Sequence, residues 1–247
     1  KDVEEVPDLD LAIKIENLKK LYKNSRGVEN LNLEVPRGEI FGLLGPNGAG
    51  KTTAMKIMTG LLKPDSGDVF IDGYSITERY EDAMRGVGCI IENVFMFKNL
   101  TALENLMLCA RFYKNVDEAR MTEVLDLVKM TAFKNEKIKG FSLGMRQRMG
   151  IAMALLSRPD VLILDEPLNG LDVEGMVDIR NILKRLSKEE KTTVFISSHL
   201  IHDVELTCDR VGVLLEGRLC DVSDVSEVVK NFSSLENYYL SEVEANE

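Results

Sequence analysis

Lys51 and Thr52 close an octapeptide, GPNGAGKT at residues 45–52, that matches GxxxxGK[ST] at every fixed position. In such a run Gly45, Gly48 and Gly50 let backbone amides converge on phosphate oxygens, with Pro46, Asn47 and Ala49 completing the loop. Lys51 supplies a point charge for the β- and γ-phosphates, the Thr52 hydroxyl suits Mg²⁺, and Thr53 follows in the first helical turn. Much later the chain reads VLILDEP at residues 161–167, an apolar run ending in two carboxylates. Asp165 is expected beside Mg²⁺, and Glu166 is expected to reach an attacking water. Together these residue types are suited to hydrolysis of a nucleoside triphosphate. A glycine-rich turn with a chance lysine, and a pair of turn-forming acids, are the competing readings.

The elements around these residues decide between them. The loop follows an apolar strand at 40–44 and precedes a helical run at 53–62, the context a phosphate cradle requires. Further strand-like runs fall at 69–71, 87–91, 161–164, 193–196 and 211–215, interleaved with helical patterns, so an α/β fold with a mainly parallel sheet is expected. The runs at 161 and 193 are continuously hydrophobic, as for strands covered on both faces, and are expected at the sheet centre. Residues 12–18 and 28–35 alternate around a polar turn at 23–27 and predict an antiparallel hairpin. Between 101 and 139 the pattern turns helical, opened by Thr101 and Glu104 in capping-box spacing and continued by Leu103, Leu106, Met107 and Ala110. The acidic tail after Ser241 is expected to fray.

Composition limits the partners. The 247 residues are 45% hydrophobic and 29% charged, as in folded soluble proteins, and apolar runs such as 161–164 fall far short of the roughly 20 residues of a membrane span. Residues 1–10 are mostly acidic and polar, and no export signal is expected from them. The formal net charge of −10 repels phosphate backbones, so no nucleic-acid partner is expected. Cys89, Cys109, Cys208 and Cys220 show no CxxC spacing and are read as buried thiols of a reducing cytoplasm.

Between the loop and the acid pair lies FSLGMRQRMGI at residues 141–151, which resembles the LSGGQ-type signature of ATP-binding cassette proteins with its following QR and helix. With LNGLD at 168–172 and His199 after the next strand, the motifs occur in that family's order over nearly the whole chain. The resemblance implies one nucleotide-binding domain over 1–247: a β and P-loop core at 12–98 and 158–220, a helical subdomain at 99–157, and a helical tail at 221–247. It further implies an antiparallel β subdomain at the N-terminus, ATP and Mg²⁺ as cofactors, and an ATPase powering transport from the cytoplasmic face of a membrane. Implied partners are a separately encoded membrane-spanning permease and a second cassette paired head to tail. In that pairing Ser142 and the Gly144 amide, opening a helix at 145–156, close the other copy's site. Tyr22 would stack on adenine, unless it is a packed strand-end tyrosine. Asp172 would communicate across the dimer, and His199 would hold the γ-phosphate and the catalytic carboxylate, unless it caps a helix.

Three positions depart from the family pattern. Leu143 replaces the signature's usual first glycine and Met145 its usual glutamine, which spares Ser142 and backbone contacts. Glu92 stands where most members carry glutamine, and is expected to bind Mg²⁺ or the attacking water against repulsion from Asp165 and Glu166. Its segment, IIENVFMFKNLTALENL at residues 90–106, resembles the acidic loop of exporters that protect against lantibiotics and bacitracin-like peptides. Phe95, Met96 and Phe97 would line a groove for a permease helix, or simply pack the loop. The rival readings are a soluble ATPase acting on nucleic acid or ribosomes and a regulatory module that binds ATP without turnover. Only 91 positions separate Lys51 from Ser142, with no sustained heptads between them, so a long coiled-coil insert is ruled out.

Overall fold

The computed structural model describes residues 10–23 and 26–246. Residues 1–9 of the segment read for an export signal and the middle of the 23–27 turn therefore lie outside the described residues. Strands β1 (Leu11–Leu21) and β2 (Gly27–Pro36) form the expected antiparallel hairpin, pairing Ile13 with Val35 and Ile15 with Leu33. β3 (Ile40–Leu44) leads into α1 (Lys51–Met58), which begins and ends earlier than the predicted 53–62. Gly60, in a left-handed conformation at φ 70°, turns the chain out of the helix.

β4 (Ser66–Ile71) returns to pair with β1, and the two-residue β5 (Tyr74–Ser75) completes a four-stranded antiparallel sheet ordered β2-β1-β4-β5. After α2 (Tyr80–Met84) and β6 (Val87–Ile90) come the helices α3 (Ala102–Ala110), α4 (Glu118–Leu127) and α5 (Leu143–Ala154). The capping box opens α3 as the spacing predicts: Thr101 Oγ1 accepts from Glu104 N, and Glu104 Oε2 accepts from Thr101 N. Leu106 and Ala110 face the core, whereas Met107 is exposed.

The remaining elements are β7 (Val161–Leu164), α6 (Val173–Glu190), β8 (Thr193–Ser198), α7 (Ile201–Thr207), β9 (Arg210–Leu215), β10 (Arg218–Asp224), α8 (Val225–Phe232) and α9 (Leu235–Asn246). The second sheet is ordered β10-β9-β3-β8-β7-β6, with every pairing parallel except β10 with β9. Its centre is β3 and β8, not β7 and β8: β7 stands one strand in from the β6 edge. β7 is as hydrophobic as a central strand because both of its faces are covered. Leu162 and Leu164 join the core under α3–α6, while Val161 and Ile163 join the core under the antiparallel sheet and α1. Phe41 on β3 and Phe195 on β8 stack on that second side with ring centroids 5.4 Å apart.

Two further expectations are corrected. The acidic tail is helical: α9 runs to Asn246, and its first turns are held by Tyr238, whose hydroxyl donates to Asp221, and by the Glu205 carboxylate, which accepts from Leu235 N at 2.7 Å. Of the four cysteines, all free, only Cys208 is buried; Cys89, on the edge strand β6, is exposed.

Candidate functional site

Because β3, β8 and β7 are parallel neighbours, their carboxyl ends meet along one edge of the sheet, where open parallel sheets receive ligands. β3 runs into the 45–50 loop, β7 into Asp165 and Glu166, and β8 into Ser197, Ser198 and His199. Gly50 caps α1 at φ 110°, and a Cβ there would sit 2.4 Å from the Gly27 carbonyl oxygen, so only glycine fits. The amino end of α1 thus opens onto a cavity of about 320 Å³, lined by Tyr22, Asn47, Gly48, Gly50, Lys51, Thr52, Thr53 and Glu166 together with Arg26 and Gly27. Tyr22 lines this cavity half-exposed, immediately after β1, so it is not a packed strand-end tyrosine.

Lys51 is buried, and its ammonium donates to the carbonyls of Gly45 at 2.7 Å and Pro46 at 3.3 Å while lying 3.3 Å from Glu166 Oε1. The other oxygen of Glu166 is 2.8 Å from His199 Nδ1. Glu166 adopts φ 48°, a left-handed backbone that disfavours a branched or long side chain by about 1–3 kcal/mol. This turn at the end of β7 separates the two acids. Asp165 faces Thr52, whose Oγ1 donates to Asp165 Oδ2 at 2.9 Å, whereas Glu166 faces Lys51 and His199.

One member of this group was not singled out from sequence. Ser197 is fully buried; its hydroxyl donates to Asp165 Oδ1 at 2.6 Å and accepts from Glu166 N at 2.9 Å. A pair of serines closing the otherwise apolar β8 just before His199 is the signal that marks it.

Other predicted residues lie apart from the cavity. Ser142 is the N-cap of α5, accepting from Met145 N at 3.2 Å, and is exposed with Gly144 beside it. A serine that accepts from an amide keeps its own O–H free to donate. Asp172 caps α6, its Oδ1 accepting from Gly175 N at 2.9 Å. Glu92 follows β6 at φ 62°, and its carboxylate accepts from Lys56 Nζ at 2.7 Å instead of joining the Thr52–Asp165 pair. Phe95 and Phe97 are exposed and meet edge to face, while Met96 is buried. Phe95 and Phe97 thus present their rings at the surface, and Met96 belongs to the core.

A phosphate-binding loop, a paired threonine and aspartate, and a glutamate held between lysine and histidine define a P-loop nucleotide-binding protein. The ABC transporter family profile matches residues 28–169. YhcH of Bacillus subtilis (strain 168), an ABC transporter ATP-binding protein, is 45% identical over 225 residues, covering 90% of this chain and 73% of that one. The bacitracin transport ATP-binding protein BcrA of Enterococcus faecalis is 43% identical, covering 90% of this chain and 72% of its own. The lantibiotic transport ATP-binding protein SrtF of Streptococcus pyogenes is 40% identical, covering 84% and 88%.

Among solved structures, an ATP-binding subunit of an ABC transporter superimposes with TM-score 0.81 at 28% identity, covering 94% of this chain and 99% of that one. A dimeric cassette, MJ0796, in a post-hydrolysis state bound to ADP and Pi, gives 0.76 at 28% identity, covering 86% and 98%. The chain belongs to the ABC transporter family and is one of its ATP-binding subunits. No helix among the described residues is long and apolar enough to cross a membrane.

Proposed function

We propose that this chain hydrolyses ATP to drive a membrane transporter that moves peptide antibiotics out of the cell. The observation that carries the hydrolytic part is the line Lys51–Glu166–His199, which holds both oxygens of one carboxylate beside the phosphate cradle. Glu166 takes the proton of the attacking water as that water adds to the γ-phosphate, and the bond to ADP breaks in line. His199 fixes the carboxylate's direction and contacts the γ-phosphate. Lys51 and the backbone amides of Asn47, Gly48 and Gly50 balance charge that builds on the phosphate oxygens, and Tyr22 stacks on the adenine. Thr52 and Asp165 offer two hard oxygen ligands, the sparse protein donor set that suits Mg²⁺ with its retained waters, and they would hold it. Mg²⁺ when bound supplies further neutralisation of phosphate charge.

The site is completed by a second cassette. Ser142 and the Gly144 amide, at the amino end of a 12-residue helix, offer donors to a phosphate held by the other copy, and Asp172 lies near that contact. Phe95 and Phe97 offer an exposed apolar surface for a helix of the permease, which would keep the chain at the cytoplasmic face of the membrane. Identity of 40–43% with bacitracin and lantibiotic transport proteins supports the cargo class. The test is expression with and without the cognate permease in a sensitive host. Increased tolerance of bacitracin or a lantibiotic that vanishes with Glu166→Gln supports the reading; unchanged tolerance of every peptide tried, with ATPase activity intact, removes the cargo assignment.

A further inference from the structure

Lys56 lies one helical turn beyond Thr52 on α1, and its ammonium reaches across to Glu92 Oε1 at 2.7 Å. Glu92 itself occupies a left-handed backbone conformation, φ 62°, between β6 and the exposed Phe95 and Phe97. Such a conformation in a long-chain residue persists where side-chain contacts over-determine it. The ammonium also lies in the field of Asp165, and its hydrogen bond to Glu92 leads the influences that hold its pKa above the ordinary lysine value. Glu166 lines the nucleotide-site cavity, Asp165 bonds Thr52 at its wall, and Lys56 ties Glu92 to α1, the helix whose amino end opens onto that cavity. Lys51 is paired with Glu166, and Lys56 with Glu92.

As fold stabilisation this pair counts for little, because both side chains are partly exposed, at 31% and 57%, and such pairs contribute about 0–1 kcal/mol. Its position gives it another use. An uncompensated carboxylate beside bound polyphosphate repels the ligand, whereas one neutralised by an adjacent ammonium does not. The same contact also ties the Glu92–Phe97 loop to the helix that cradles the phosphates.

We propose that Lys56 is a positioning residue for Glu92: it cancels the carboxylate's charge at the edge of the nucleotide site and anchors the loop leading to Phe95 and Phe97 onto α1. This rests on the reading that the Lys51 cradle binds ATP. Removing the ammonium leaves the Glu92 carboxylate uncompensated beside the site; removing both groups restores neutrality.

The test uses the full chain, with a fluorescent ATP analogue titrated by anisotropy at fixed Mg²⁺, and amide hydrogen exchange of residues 92–97 without nucleotide. Lys56→Gln should weaken binding about three- to tenfold, Lys56→Arg should retain it, and Lys56→Gln/Glu92→Gln should return to within about twofold of Glu92→Gln alone. Exchange across 92–97 should rise in each single glutamine variant without adding in the double. Equal weakening in Lys56→Gln and in the double variant would mean that Lys56 acts on the nucleotide directly, and unchanged binding and exchange in Lys56→Gln would show the pair to be idle; either overturns the proposal. If the wild-type chain binds no analogue, the ATP reading fails, and the exchange measurement alone then decides whether Lys56 anchors Glu92.

Discussion

His199 Nδ1 lies 2.8 Å from Glu166 Oε2, joining the ends of β8 and β7, while Lys51 Nζ stands 3.3 Å from the other oxygen of the same carboxylate. The carboxylate is held at both ends, so its direction is set before any ligand arrives. Glu166→Gln keeps the size and hydrogen-bonding capacity of the side chain and removes its basicity. Phosphate release should fall by about 10²–10⁴-fold, while nucleotide affinity stays within about threefold of wild type. Measured turnover near the wild-type rate would take Glu166 out of the general-base role.

Ser197 bridges the two acids from a fully buried position, donating to Asp165 and accepting from the Glu166 amide. Ser197→Ala leaves a carboxylate oxygen and a backbone N–H without that partner, a loss of about 1–3 kcal/mol. The melting temperature should drop by several degrees, and turnover should fall as well, because Asp165 loses the contact that orients it toward Thr52. Thermal melts paired with phosphate-release rates check this. Unchanged values for both would mean that Ser197 is not the support for Asp165.

Contiguity explains what the sequence could disclose. The 40–44 and 161–164 strands have the bounds read from it, since each is a wholly apolar run cut off by glycine or acid. The phosphate loop was legible for the same reason: all its chemistry lies within eight successive residues. β10, RLCDVSD, was missed because it is half-exposed and acidic, without the alternation that marks a strand. The strand order that puts β3 rather than β7 at the sheet centre is a tertiary property with no local signature. Ser197 and Lys56 are of this kind too. Their partners stand 32 and 36 positions away, and only the fold brings them together.

Glu39 makes stability depend on pH. Burial pushes its pKa up from 4.5 to about 7, against the pull of Arg210, whose Nη1 is 3.2 Å from Oε1. An unfolded chain loses this proton near 4.5, and the folded chain keeps it to about 7. Between those values the folded state binds more protons, so rising pH erodes stability, and above about 7 the penalty is complete. Glu39→Gln removes the titration. The melting temperature of the variant relative to wild type should climb from pH 5 to pH 8; a difference that is flat or falls over that range contradicts the burial argument.

Leu143, in the signature position usually held by glycine, lies against the loop that follows Glu166. A Cβ placed on Gly170 would come within 3.0 Å of Leu143 Cδ2, and Gly170 has φ 73°. Gly170→Ala therefore faces two separable penalties: the left-handed backbone, which disfavours any L side chain by about 1–2 kcal/mol, and crowding by the leucine. Leu143→Gly, at a side chain about half-exposed, should cost less than about 1 kcal/mol of packing beyond glycine's helical penalty. Combined with Gly170→Ala, it should recover the crowding and leave the backbone cost. Urea unfolding of the two single variants and the double variant gives the cycle. Full additivity would mean that the leucine does not touch the loop, whereas a positive coupling joins the signature helix to the segment between Glu166 and Asp172. In that case Leu143→Gly should also speed hydrogen exchange at 168–172, because the loop loses the side chain that limits its motion.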